Sequence, residues 1–229
     1  MSLSFSLPTA LILIDNQYGF NHPTHWGTSR SNPSYEANLE SLLAAFRDAI
    51  RRSSGDDKNV LEIIHVLHSS SSPSSPLHAD HPGNGIKPFD FAQPASDGSE
   101  SVMWKHVNSS FIGTDLEVHL RAHGIRQIIV AGLTTDHCVS TTTRMAANLG
   151  VVDRFPEGPI AIDAKTGQQD PVPIDHGRII LVADATATFA KGGIDAETIH
   201  AVSVASLQEE FAEIMSTAEV IKSLEEKKP

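Results

Sequence analysis

The chain alternates between short, nearly unbroken apolar runs and longer stretches in which apolar residues return every three or four positions. Ala10–Ile14, Val60–Leu67, Gln127–Ala131 and Ile179–Ala183 are runs of the first kind, with Val102–Trp104 a shorter fifth. A strand wetted on one side alternates in polarity, whereas a strand covered on both sides does not. Unbroken β-branched runs therefore predict a parallel sheet with helices on both faces. The second kind begins at Ser34, placed to cap a helix reaching Arg52 with Leu39, Leu42, Leu43, Phe46 and Ile50 on one face. Thr114–His123, stopped by Gly124, and Val139–Leu149, stopped by Gly150, are predicted as two further helices. The longest helix is expected over Ala196 to about Ser216, from the spacing of Ile199, Val202, Leu207, Phe211 and Ile214. Strands alternating with helices predict one three-layer, doubly wound (Rossmann-like) α/β domain across residues 1–229.

Two stretches fall outside this rhythm. Ser69–Ser101 is rich in Ser, Pro, Gly and Asp, and is too long for an idle connection, so it is expected to cover a site. Asp153–Gly177 carries Pro156, Pro159, Pro171 and Pro173 and reads as an insertion before the last of the strong strands.

Composition narrows the function classes. A formal charge of −11 disfavours a phosphate backbone, so nucleic acid is not an expected partner. The single cysteine cannot form an internal disulfide, and the fold then needs no oxidising compartment. Met1–Ala10 has no Lys or Arg, and the first apolar run ends at Asp15, so neither a leader nor a membrane span is expected. A cytoplasmic location follows as the expectation.

In an open α/β sheet, ligands bind beyond the carboxyl ends of the strands, where the strand order reverses. Asp15 directly follows the first strand, Lys105 follows Val102–Trp104, and Cys138 stands where a helix begins after the strand ending at Ala131. Singly, each has a plain structural role: a turn former, a solvated rim charge, a small buried apolar group. Together they make a nucleophile, a proton acceptor and a cation expected at one sheet edge. A helix start is expected to lower the Cys138 thiol pKa, with Lys105 adding to the effect and Asp15 accepting the proton. Backbone N–H groups of Thr134 and Cys138 are candidates to hold an oxyanion.

These residues lie in a recognisable order. Leu13-Ile14-Asp15-Asn16-Gln17 with Phe20 comes first, then His65-Val66-Leu67-His68 with Ser75-Pro76-Leu77. Lys105-His106-Val107-Asn108-Ser109-Ser110-Phe111 and Gly113-Thr114-Asp115-Leu116 follow, then Gly132 to Arg144, and finally Asp184-Ala185-Thr186-Ala187. The ordered set resembles the isochorismatase-like cysteine hydrolases, which include nicotinamidase, N-carbamoylsarcosine amidohydrolase and ureidoacrylate hydrolase. The resemblance implies a parallel six-stranded sheet, an Asp-Lys-Cys triad falling on Asp15, Lys105 and Cys138, and a cis peptide at Leu133-Thr134. It also implies a homodimer or homotetramer.

The 153–177 stretch departs from the usual family pattern. Nicotinamidases hold a metal through an Asp-x-His motif that this chain lacks. His65 and His68 are three apart on a predicted strand and so face opposite ways, while His78 and His81 fall in the long loop. No metal and no cofactor are expected, and nicotinamide is disfavoured. The expected activity is hydrolysis of a small amide, ureido or carbamoyl compound through a thioester. Phe20, Trp104 and Phe111 are candidate apolar walls, and His68 and Asn108 candidate polar contacts. Two other readings stand beside it: cleavage of the isochorismate vinyl ether with Asp15 as acid, and a binding protein without catalysis.

Overall fold

The computed structural model describes residues 3–53, 61–156 and 158–226. Val60, expected to open the second strand, and Glu157 in the insertion lie outside the described residues. The architecture is the predicted one. Strands β1 (Thr9–Ile14), β2 (Leu61–His68), β3 (Ser101–Lys105), β4 (Gln127–Leu133), β5 (Arg178–Ala187) and β6 (Glu213–Met215) pair in parallel in the order β3-β2-β1-β4-β5-β6. The order reverses between β1 and β4.

Each central strand feeds two apolar layers. Leu11, Leu13, Ile63 and Ile129 face α1 (Tyr35–Arg52), whose Leu39, Leu42, Leu43 and Phe46 are buried at helical spacing. Ile12, Ile14, Ile64, Val66 and Val130 face the other way, toward Leu116 and Leu120 of α2 (Leu116–Ala122) and Ala146 of α3 (Ser140–Leu149). Burial on both sides is why these strands carry no polar alternation. Gly132 is obligatory in β4: its φ is 122°, and a Cβ there would meet the Ile14 carbonyl oxygen at 2.1 Å. Gly124 and Gly150 follow α2 and α3 in the left-handed region, as expected of helix stops. Ser34 occupies the cap position of α1, but its side chain makes no capping bond.

The long terminal helix is the main correction. α4 (Ala196–Ala205) ends early, and Glu209 takes a left-handed φ of 69°. The chain then forms β6 along the outer edge of β5 before α5 (Thr217–Glu225) begins with a Ser216/Glu219 capping box. Phe211, Ile214 and Met215 keep helical spacing, yet Ile214 and Met215 serve equally well as the two faces of a short strand. The unpaired edge of β5 offers backbone hydrogen bonds, and these decide for the strand. Among the described residues no helix is long and apolar enough to cross a membrane.

Candidate active site

Asp15 is the first residue beyond β1. Its φ of 53° is left-handed, which aspartate tolerates better than most residues, and its N–H donates to the Val66 carbonyl at 2.8 Å. The turn aims the carboxylate back over the sheet edge, where it is fully buried. Lys105 closes the edge strand β3 and is also buried. Its ammonium reaches across the end of β2 and contacts three groups: Asp15 Oδ2 at 2.6 Å, His68 Nδ1 at 3.2 Å and Cys138 Sγ at 3.3 Å.

Cys138 sits in a π-helical turn, Thr135–Val139, which opens onto α3. In this turn the Val139 N–H donates to the Thr134 carbonyl, and the peptide bond before Thr134 is cis. The turn is fastened from below by Asp136, which accepts from Thr188 Oγ1 and from Lys191 Nζ at 2.6 Å. Gln17 fastens the opposite side. Its amide donates to the carbonyls of His68 and Ile86 and accepts from the His68 N–H, tying β1, β2 and the long loop together.

The electrostatics follow from burial. Burial raises the Asp15 carboxyl above its ordinary value, against the opposing charge of Lys105. Burial, and then the charge of Asp15, pushes the Cys138 thiol up. The expected lowering of the thiol pKa is therefore overturned. A helix terminus favours thiolate, but desolvation of a residue only 7% exposed, next to a carboxylate, outweighs it. The thiol is therefore protonated at rest, beside Asp15 and the Lys105 ammonium that contacts both. His68 is lowered to about 4 by burial and by the neighbouring Lys105 and His106, so its imidazole is neutral. Among the described residues Asp15 Oδ1 has no hydrogen-bond partner, although it is buried. The Cys138 thiol is the donor nearest to hand, and its hydrogen bond to the Asp15 carboxyl is one of the causes that raise the thiol.

Above these groups lies a cavity of about 280 Å³. Asp15, Thr134 and Cys138 form part of its wall, as do Phe20, His68 and Asn108. Trp104 and Phe111 do not line it. Trp104 precedes Lys105 on β3 and so points the other way, 47% exposed, while Phe111 packs against the apolar layer under α2 and α3. The long loop covers the cavity, contributing Ser70, Ser72, Ser75 and Leu77.

Asp15, His68 and Cys138 present ligand atoms within 4.8 Å of one another. They do not fit a metal ion, because the Lys105 ammonium already contacts all three and a second cation would have to displace it.

Residues 9–219 match the isochorismatase domain. The chain belongs to the isochorismatase family. It is 35% identical over 217 residues to the isochorismatase-family protein YrdC of Bacillus subtilis, covering 93% of this chain and 94% of that protein. An isochorismatase-family structure from Chromobacterium violaceum superposes with a TM-score of 0.75 at 29% identity, covering 98% of this chain and 97% of the other. A cysteine hydrolase from Pseudomonas syringae shares the fold, with a TM-score of 0.70 at 22% identity over 98% and 95% of the two chains. The protein is thus a hydrolase of the isochorismatase-like kind.

This isochorismatase-family site contains residues that sequence patterning alone does not reveal. Trp26 stacks on Phe20 at 4.6 Å between ring centroids and donates from Nε1 to the Gly19 carbonyl at 2.7 Å, building an aromatic wall with His25 beside it. Trp26 follows β1 in a loop with no periodicity to mark it. His137 also lines the cavity, and its position directly before Cys138 was the available signal.

Proposed function

We propose that the protein hydrolyses a C–N bond in a small amide, ureido or carbamoyl compound through a thioester on Cys138. The observation that carries this reading is the buried Lys105 ammonium, hydrogen-bonded at once to Asp15 and to the Cys138 sulfur on a cavity wall. Cys138 Sγ attacks the substrate carbonyl carbon while Asp15 Oδ1 takes the thiol proton. The proton moves in step with attack, because the thiol is neutral at rest. The resulting oxyanion faces the N–H groups of Thr134 and Cys138. As the C–N bond breaks, protonated Asp15 returns its proton to the departing nitrogen. Asp15 then draws a proton from water, which attacks the thioester and releases the acid and the thiol. Lys105 holds the Asp15 carboxyl and the sulfur in line through these steps.

Phe20, Trp26 and Leu77 give the substrate an apolar flank. Asn108 and neutral His68 offer polar contacts, and a cavity of this volume suits a small molecule. Assembly as a homodimer or homotetramer belongs to the same reading: Ile194 stands exposed just before α4 and Val202 stands exposed within it. Light scattering on the eluting protein tests it, and a single species of about 25 kDa would refute it.

The test of mechanism is a turnover screen of small amides, ureides and isochorismate, with intact-mass measurement after an acid quench. An acyl adduct on wild-type protein, absent from Cys138→Ala, is expected. A variant that keeps its turnover without the thiol would instead favour vinyl-ether cleavage by Asp15.

A further inference from the structure

A second group of ligating side chains lies at the opposite edge of the sheet. Glu62 is the second residue of β2 and stands six positions before His68, about 20 Å along the strand at 3.3 Å per residue. α2 crosses above it. Leu116 and Leu120 anchor that helix in the apolar layer, which turns His119 toward β2. His123, at the end of the helix and one turn further on, meets the same carboxylate. His119 Nε2 lies 3.2 Å and 3.1 Å from Glu62 Oε1 and Oε2, and His123 Nδ1 lies 2.8 Å from Oε2. The two imidazole centroids are 4.0 Å apart.

Two imidazoles and a carboxylate are a common donor set for zinc. With arms of about 2.0–2.1 Å, the ligand atoms of a tetrahedral zinc lie about 3.3 Å from one another. The carboxylate–imidazole separations lie just under that spacing, and all three ligand atoms lie within 4.8 Å of one another. The Glu62 and His119 side chains are 14% and 17% exposed, whereas His123 is 46% exposed. The donors are thus held on the protein side and open on the solvent side, where water takes the fourth position and the ion has a way in. His65, His68, His78 and His81 take no part.

We propose that Glu62, His119 and His123 bind one divalent ion of the zinc class and that this ion clamps α2 to β2. α2 has only seven residues, and its cap residue Asp115 makes no side-chain capping bond. A clamp at its C-terminal end supplies what a short helix lacks. The distance from Cys138 gives the ion no part in the hydrolytic chemistry.

Untagged full-length protein, Cys138→Ser, His123→Ala and His119→Gln are each titrated with zinc by calorimetry, and melting temperature is read with and without zinc. About one equivalent should bind wild type and Cys138→Ser alike. A hundredfold excess over the dissociation constant should raise both melting temperatures by about 5–10 °C. His123→Ala removes a largely exposed ring, so its metal-free melting temperature should stay near wild type while the zinc response disappears. His119→Gln keeps a polar partner for Glu62 and checks the loss independently. Cobalt(II) should give tetrahedral d–d bands with no sulfur charge-transfer band. Zinc that leaves wild type unchanged, or stabilises His123→Ala equally, overturns the proposal and leaves a hydrogen-bonded cluster. A zinc response lost in Cys138→Ser also overturns it, by moving the ion to the thiol.

Discussion

Strands β2 and β3 run between two buried ionic clusters. At the carboxyl ends, His68 and Lys105 meet Asp15 and Cys138. Lower on the same strands, Glu100, the residue before β3, meets both His65 of β2 and Arg47 of α1. Both clusters place a carboxylate against a cation out of water, yet their hydrogen-bond accounts differ. Glu100 Oε1 accepts from Arg47 Nε at 2.7 Å, and Oε2 accepts from Arg47 Nη2, His65 Nε2 and the Ala95 N–H at 2.8, 2.8 and 3.0 Å. Nothing there is left to react. Asp15 keeps one oxygen unpartnered among the described residues and borders a cavity. A satisfied cluster holds the scaffold, and an unsatisfied one beside a cavity is equipped for chemistry.

The sharpest way to break this contrast is to remove the reacting atoms. Cys138→Ala should cut kcat by roughly a thousandfold or more, with a melting temperature near wild type, because the change removes a single heavy atom. Turnover within tenfold of wild type would remove the thiol from the mechanism. The pH profile adds a sign. Asp15 must be ionised to act, and its folded pKa is raised above 3.8. kcat/KM should therefore fall as pH drops through a value higher than that of an ordinary aspartate.

Glu100→Gln should do the reverse. It leaves Arg47 without its counter-charge and turns an amide N–H₂ toward existing donors, so a loss of roughly 2–4 kcal/mol is expected in denaturant unfolding. Turnover per folded molecule should change only a few-fold. A variant as stable as wild type but catalytically dead would show that the lower cluster reaches the chemistry.

Acid separates the clusters further. Burial alone would raise the Glu100 carboxyl, but the hydrogen bonds from Arg47, His65 and Ala95 hold it at about 2. A depressed folded pKa contributes stability above the unfolded value of about 4.5, and that stability is lost as pH falls toward 2. Up to about 3 kcal/mol is at stake. Asp15, being raised, has the opposite sign: protonating it on the way down relieves a burial cost. Melting curves between pH 6 and the acid limit should flatten in Glu100→Gln. An unchanged acid slope in that variant would mean that other carboxylates govern acid unfolding.

How much of this was legible depends on which physical signal each residue carries. β1, β2, β4 and β5 announce themselves, because strands buried on both faces carry long apolar runs with little polar alternation. Asp15, Lys105 and Cys138 come together because strand ends in a parallel sheet share one edge, and chain order alone implies that. β6 was hidden, since Phe211, Ile214 and Met215 keep helical spacing, and Ile214 and Met215 read as a strand only once the edge of β5 is known. The direction of the thiol shift was misjudged because a helix terminus is visible in sequence, while the depth of the sulfur and the nearness of Asp15 are not. Trp26 and the Asp136 anchor depend on loop paths that no periodicity encodes.

The smallest expected effect tests the alternation that separates neighbours on β3. Trp104 was expected as a pocket wall because it is aromatic and adjacent to Lys105. On an extended strand, adjacent side chains leave opposite faces, so burying Lys105 turns Trp104 outward. Val102, two residues earlier, is exposed on the same side at 43%, which is the alternation expected of an edge strand with one face uncovered. Trp104→Ala should therefore leave kcat/KM within about twofold and shift stability by no more than about 0.5 kcal/mol. Trp104→Lys sharpens the point, since a charge is tolerated on a wetted face and disruptive against a substrate. The oligomeric state must be read alongside, because an exposed tryptophan next to exposed Val102 is also where a second copy would lose area. A tenfold fall in kcat/KM at unchanged assembly would put Trp104 against the substrate after all and would require β3 to rotate its faces. That rotation would take Lys105 away from Asp15, so the same result would break the upper cluster on which the proposed mechanism stands.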